Sequence, residues 1–117
     1  MCYRVADSIF TKIKNKEIPG NIVYEDDQCF ALEDINPQAP VHVLIIPHKE
    51  ITKVSDTSPE DEDLLGHLLY VSKKIADKYD LKDNYRLIIN NGAGAGQSVF
   101  HIHVHLMGGR SLVWPPG

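Results

Sequence analysis

Cysteine is scarce: the 117 residues hold two, Cys2 and Cys29, with no CxxC pair. That excludes a disulfide framework or a four-thiolate metal site, and two reduced thiols are the expectation for a cytoplasmic chain, the nucleus being open to one this small. Long apolar runs are missing too. Nothing approaches the ~18 residues of a membrane span, and Met1 to Asp7 holds no apolar stretch of signal-peptide length. Positive charge is in deficit, with 12 Lys and Arg against 16 Asp and Glu. A mildly acidic chain lacks the basic surface that general nucleic-acid binding needs, while a small anion can still be held by backbone dipoles. Neither a membrane nor a nucleic acid is therefore an expected partner. There is no repeat, low-complexity tract or linker.

What is present describes one ordinary domain over residues 1–117. Hydrophobic residues make up 43% and charged residues 24%, a globular balance. A chain of this size buries roughly two-thirds of its extended surface on folding. Residues 7–16 read as a short helix capped by Asp7 or Ser8, with Ile9, Phe10 and Ile13 on one face. Ile22–Tyr24 and Cys29–Leu32 flank Glu25-Asp26-Asp27-Gln28 as a hairpin. Pro37 and Pro40 stiffen the loop that follows, and Val41–Ile46 reads as a third strand. Ser58-Pro59-Glu60-Asp61 is a helix start, with a cap hydroxyl, proline in first position and acids in the positive first turn. That helix should reach about Tyr79, with Leu64, Leu68, Val71, Ile75 and Tyr79 toward a sheet. Leu65, Leu69 and Ala76 form a second stripe, and Gly66 beside it suits a close backbone contact, so another subunit is expected there. Tyr85–Ile89 and Ser98–Leu106 read as the last two strands. The fold class is α+β: a mainly antiparallel five-stranded sheet with one short and one long helix, forming a homodimer.

The chemistry gathers at His101-Ile102-His103-Val104-His105-Leu106-Met107. In a strand, alternation puts the three imidazoles on one face, free for solvent or a ligand, and Ile102, Val104 and Leu106 on the other. The residues alone leave three readings open. One is a polar strand face. Another is a zinc site, with no cysteine nearby and no evident carboxylate to orient the rings. The third is nucleophilic catalysis at phosphorus, for which a neutral imidazole near pH 7 is well suited. Just upstream, Asn90-Asn91-Gly92-Ala93-Gly94-Ala95-Gly96-Gln97-Ser98 offers alternating glycines that can turn backbone N–H groups toward an anion. It is neither a Walker loop nor a dinucleotide fingerprint. Asp34 and His42 each also have a local structural reading, as a turn residue and a strand histidine. His48 and His67 have no functional reading and are expected to be exposed.

His101 through Met107 matches His-φ-His-φ-His-φ-φ, where φ is apolar, and in this the sequence resembles the histidine triad superfamily. Ile9-Phe10, Lys16-Glu17-Ile18-Pro19, Pro37-Gln38-Ala39-Pro40, Gly96-Gln97-Ser98, Gly108-Gly109-Arg110 and Trp114-Pro115-Pro116-Gly117 resemble its nucleotide-binding branch. The resemblance covers the chain from about residue 8. It implies a homodimeric hydrolase of adenosine 5′-phosphoramidates, working with no metal and no cofactor. His103 would attack the α-phosphorus, with His101 and His105 at the phosphate and His42 completing the proton network. Ser98 would serve the leaving amine, Asn90, Gly96 and Gln97 the phosphate, and Asp34 the ribose. Ile9, Phe10, Ile13, Leu32 and Ile35 would line the base pocket. Leu32 stands where the family often carries an aromatic. Trp114 would reach the partner's site. The same resemblance leaves two alternatives, a dinucleoside polyphosphate hydrolase and a non-catalytic nucleotide- or zinc-binding module.

Overall fold

The structure, a computed structural model, describes residues 8–117. Cys2 and Asp7, the alternative helix cap, lie outside the described residues. Short helix α1 (Ile9–Lys14) is followed by strands β1 (Ile22–Glu25), β2 (Cys29–Glu33) and β3 (Val41–Pro47). Long helix α2 (Glu62–Lys78) precedes β4 (Tyr85–Ile88) and β5 (Val104–Gly108). The five strands form one antiparallel sheet in the order β1-β2-β3-β5-β4. No helix among the described residues is long and apolar enough to cross a membrane.

Strand alternation divides the core in two. Cys29, Ala31, Val43, Ile45, Val104 and Leu106 pack with Leu68, Val71 and Ile75 of α2. Phe30, Leu32, Leu44 and Ile46 point the other way and pack with Phe10 and Ile13 of α1. β3 is therefore buried on both faces, which explains its unbroken apolar run. Its one histidine, His42, falls on the α1 face.

Four sequence expectations need correction. The last strand begins six residues later than the pattern suggested, at Val104 rather than Ser98. β5 pairs with β3 only as far as Ile45 opposite Val104. Beyond that pair, Pro47 has no N–H to offer, and its carbonyl is taken by the His101 ring at 2.7 Å. Ile102 N–H bonds to Ile51 O instead, at 2.8 Å. Second, the histidine face is not left open: α1 covers it, and His101 is fully buried. Third, Ile9 does not share the buried face of α1, for it is exposed while Phe10 and Ile13 are buried. Fourth, Ala76 belongs to the main core rather than to a second stripe, and Leu69 is exposed. A Cβ on Gly66 would meet nothing within 4 Å, so no close contact within this chain requires a glycine there. The long helix begins as expected, with Pro59–Asp61 forming one 3₁₀ turn and Ser58 N–H bonding to Asp61 Oδ2 at 2.9 Å.

Candidate active site

Four imidazoles converge where α1 lies over the β3–β5 ladder. Leu44 pairs with His105 and His42 with Met107, so His42 and His105 are diagonal neighbours on one face, within reach of each other's rings. Backbone donors and acceptors fix where their protons sit. Gln38 N–H donates to His42 Nδ1 at 3.0 Å. An amide can only donate, so this nitrogen is bare and His42 is neutral with its proton on Nε2. That Nε2–H donates to His105 Nδ1 at 2.9 Å, which puts the proton of His105 on its own Nε2. Asp34 Oδ2 stands 3.5 Å from His42 Nε2, while its Oδ1 accepts Asn36 N–H at 2.8 Å.

His103 carries the opposite tautomer. Its Nδ1–H donates to the carbonyl of His101 at 2.7 Å, and a carbonyl can only accept. Nε2 is therefore left with a free lone pair. The ring is held between Phe10, edge-on at 4.9 Å, and His105 at the same centroid distance. His101 is the anchor. Its Nε2–H donates to Pro47 O, and its Nδ1 accepts Ser8 Oγ–H at 2.6 Å. Ser8 Oγ also accepts Thr11 N–H at 3.1 Å as the cap of α1, and Ser8 N–H reaches Glu50 Oε1 at 2.7 Å. One serine thus ties the covering helix to the histidine segment.

Burial is the leading cause that lowers the pKa of His101, His103 and His105. For His105, the neighbouring His103 and His42 add to it and bring the value down to about 4. All three rings stay neutral near pH 7. The arrangement offers one bare nitrogen, on His103, beside one N–H donor, on His105. That pairing can attack an electrophile while stabilising charge on an atom bonded to it.

The glycine-rich loop is built differently from the expected anion nest. Gly92 and Gly96 both adopt φ near +95°, which favours glycine. However, the N–H groups of Ala95, Gly96 and Gln97 close bonds within the loop. The Gly92 N–H goes to Gln97 Oε1 at 2.8 Å. The Gln97 amide also donates to Thr52 O and Val99 O, so this buried side chain locks the loop and has no donor left for a phosphate. Asn90 is half-buried, and Gly96 and Ser98 are exposed. A cavity of about 580 Å³ opens beside them, lined by Ser8, Ile9, Glu50, Thr52, Ser98, Val99 and Phe100. A second of about 560 Å³ lies at the β4 edge near Arg86 and Arg110, and neither cavity is lined by a histidine.

Of the expected base-pocket residues, Phe10, Ile13 and Leu32 are core side chains, whereas Ile9 and Ile35 are exposed. Trp114 is 83% exposed. Asp34, His42 and His105 bring three ligand atoms within 4.8 Å of one another and are the triad's candidate metal-holding set. Neither His48 nor His67 is free as expected. His48 stacks on Phe30 at 5.4 Å, and His67 bonds to Asp26 at 2.7 Å. Ser8 and Gln38 are the site residues that sequence reasoning missed. Ser8 was visible only as a helix cap and Gln38 only as part of a proline-flanked loop.

Residues 15–112 match the HIT domain. The chain belongs to the HIT family. It is 57% identical to an uncharacterized HIT-like protein of Synechocystis, covering 95% of this chain and 97% of that one. It is 51% identical to the 14 kDa zinc-binding protein of Zea mays, covering 97% and 92% respectively. Among solved structures it is similar to a HIT family hydrolase from Legionella pneumophila, with TM-score 0.91, 46% identity and coverage of 95% of this chain and 100% of that one. It is also similar to the histidine triad nucleotide-binding protein of Candida albicans, at TM-score 0.78 and 34% identity, covering 93% and 83%. The five-stranded antiparallel sheet with one long helix is the fold these HIT structures share with it.

Proposed function

We propose that this HIT protein hydrolyses purine nucleoside 5′-phosphoramidates through a nucleotidyl-histidine intermediate on His103. The observation that carries the reading is the His103 tautomer: the Nδ1–H···O=C bond to His101 leaves Nε2 with an unprotonated lone pair. Nε2 attacks the α-phosphorus, a P–Nε2 bond forms, and the P–N bond to the amine breaks. The departing nitrogen takes a proton from Ser98 Oγ–H. In the second half, water attacks phosphorus, the P–Nε2 bond breaks, and the water proton returns to Ser98. The His105 Nε2–H, set by His42, donates to a phosphate oxygen as charge develops. Asp34 accepts from the ribose hydroxyls. The protein acts as a homodimer through the outer face of α2, and Trp114 serves the partner's site. The hydrolase and nucleotide-binding names of its structural relatives support the class.

The test is mass spectrometry of a reaction with an AMP amide quenched early. A nucleotidyl adduct on His103 is expected, together with His103→Asn protein that binds AMP but does not turn over. An adduct elsewhere, or unchanged turnover in that variant, removes His103 from the mechanism. Faster cleavage of a diadenosine polyphosphate than of the AMP amide would instead assign the dinucleoside polyphosphate reading. A second reading, a zinc-dependent module, is favoured by the Asp34–His42–His105 cluster and the name of the maize relative. Activity that vanishes under chelation and returns with zinc would support it.

A further inference from the structure

A second set of titratable side chains gathers on the opposite side of the sheet, under α2. It comprises Asp26 and Cys29 of the β1–β2 hairpin and His67 of the helix. We infer that Asp26, Cys29 and His67 form a zinc(II) site, distinct from the histidine triad. Carboxylate, thiolate and imidazole are the ligand types that zinc accepts together, and the soft thiolate selects against magnesium and calcium.

The geometry supports the assignment. One oxygen of Asp26 is held by its own turn: Oδ1 accepts Gln28 N–H at 2.7 Å and Cys29 N–H at 2.8 Å. This directs Oδ2 toward the other two side chains. His67 Nε2 lies 2.7 Å from Oδ2, Cys29 Sγ lies 3.8 Å from it, and all three ligand atoms fall within 4.8 Å of one another. Bond lengths of ~2.0–2.3 Å at a tetrahedral zinc ask for ligand separations of about 3.3–3.7 Å. The imidazole needs to move outward and the thiol to turn inward by fractions of an ångström to about one ångström. His48 Nε2–H, bonded to the Asp26 carbonyl at 2.8 Å, braces the same turn. Cys29 is fully buried, but Asp26 and His67 are 21% and 26% exposed, so the ion enters from their side and water takes the fourth position.

The exchange balances. The Cys29 thiol loses one proton to solvent as the Zn–S bond forms. His67 binds through Nε2 as the neutral ring with its proton on Nδ1, and the Tyr24 hydroxyl, which donates to Asp26 Oδ2 at 2.8 Å, keeps that bond. Two anionic ligands neutralise the ion.

Cobalt(II) reports the thiolate directly. The full chain carrying Cys2→Ser, so that Cys29 is its only thiol, is stripped by dialysis against a chelator and titrated with cobalt(II). A near-ultraviolet thiolate-to-cobalt charge-transfer band should saturate at one ion per chain and be bleached by zinc. His67→Gln should weaken the apparent affinity by more than about tenfold, and Cys29→Ser should abolish the band. His42→Gln and His105→Gln should leave it unchanged. Absence of the band at saturating cobalt overturns the assignment. So does a band with unaltered affinity in His67→Gln, whose partly exposed position keeps that variant informative if Cys29→Ser fails to fold. Cobalt binding without the band that is lost in His105→Gln places the ion at the triad and likewise refutes the hairpin site.

Discussion

Acidification should destabilise this protein through its histidines well before its carboxylates are involved. The His105 ring is held at about 4 in the fold, against about 6.5 in an unfolded chain. Between these values the unfolded chain binds the proton and the folded one does not. Stability is therefore fully present above about pH 6.5 and is lost as pH falls toward 4. The full displacement corresponds to about 3 kcal/mol at about 1.4 kcal/mol per pH unit. At about pH 5, with solvent screening at the ring's open edge, His105 accounts for about 1–2 kcal/mol. His101 and His103 shift in the same direction, so the whole protein should lose more than that. Asp26 and Glu50 shift downward, so their contribution disappears only below about pH 4, outside the window. Urea unfolding of the wild type and of His105→Gln, at about pH 7.5 and about pH 5, measures the difference. The variant should show a pH-linked loss about 1–2 kcal/mol smaller than the wild type. Equal losses in the two proteins would refute the reasoning, as would an NMR titration of the His105 ring with a midpoint near 6.5.

Three further outcomes follow from packing and hydrogen bonding. Ile45→Ala, at a fully buried position between sheet and α2, should cost about 2–5 kcal/mol in urea unfolding without moving the histidines. Gln97→Leu leaves the Gly92 N–H and the Thr52 and Val99 carbonyls without their partner. It should cost about 1–3 kcal/mol and speed hydrogen exchange across residues 90–98. Ser8→Ala removes both the helix cap and the His101 bond. It should lower stability by about 1–2 kcal/mol in thermal unfolding, with Ser8→Thr, which keeps the hydroxyl, restoring most of it.

Much of this was legible in the chain. The number of strands and their succession along the chain, and the long helix with its start at Ser58-Pro59, follow from alternation and helical spacing. Those signals are local and depend on a side-chain period of two or 3.6. The strand boundary at the histidines was not legible. Ser98–His103 alternates like a strand, but its partner strand runs out at Pro47. Sheet pairing depends on what lies opposite, which no local pattern records. The glycine loop misled for a related reason. Its composition suits an anion nest, yet Gln97 folds back into it and takes up the polar groups.

The sequence alone determined that three imidazoles would share one side and Ile102, Val104 and Leu106 the other, because residues two apart along an extended backbone face the same way. The tertiary structure decided what each imidazole could do. Which nitrogen holds the proton depends on the Gln38 amide, the His101 carbonyl and the Pro47 carbonyl, and how strongly each ring resists protonation depends on the helix packed above it. Two of these three backbone partners, the Gln38 amide and the Pro47 carbonyl, are remote in sequence from the motif. They reach it only when β3, β5 and α1 have assembled.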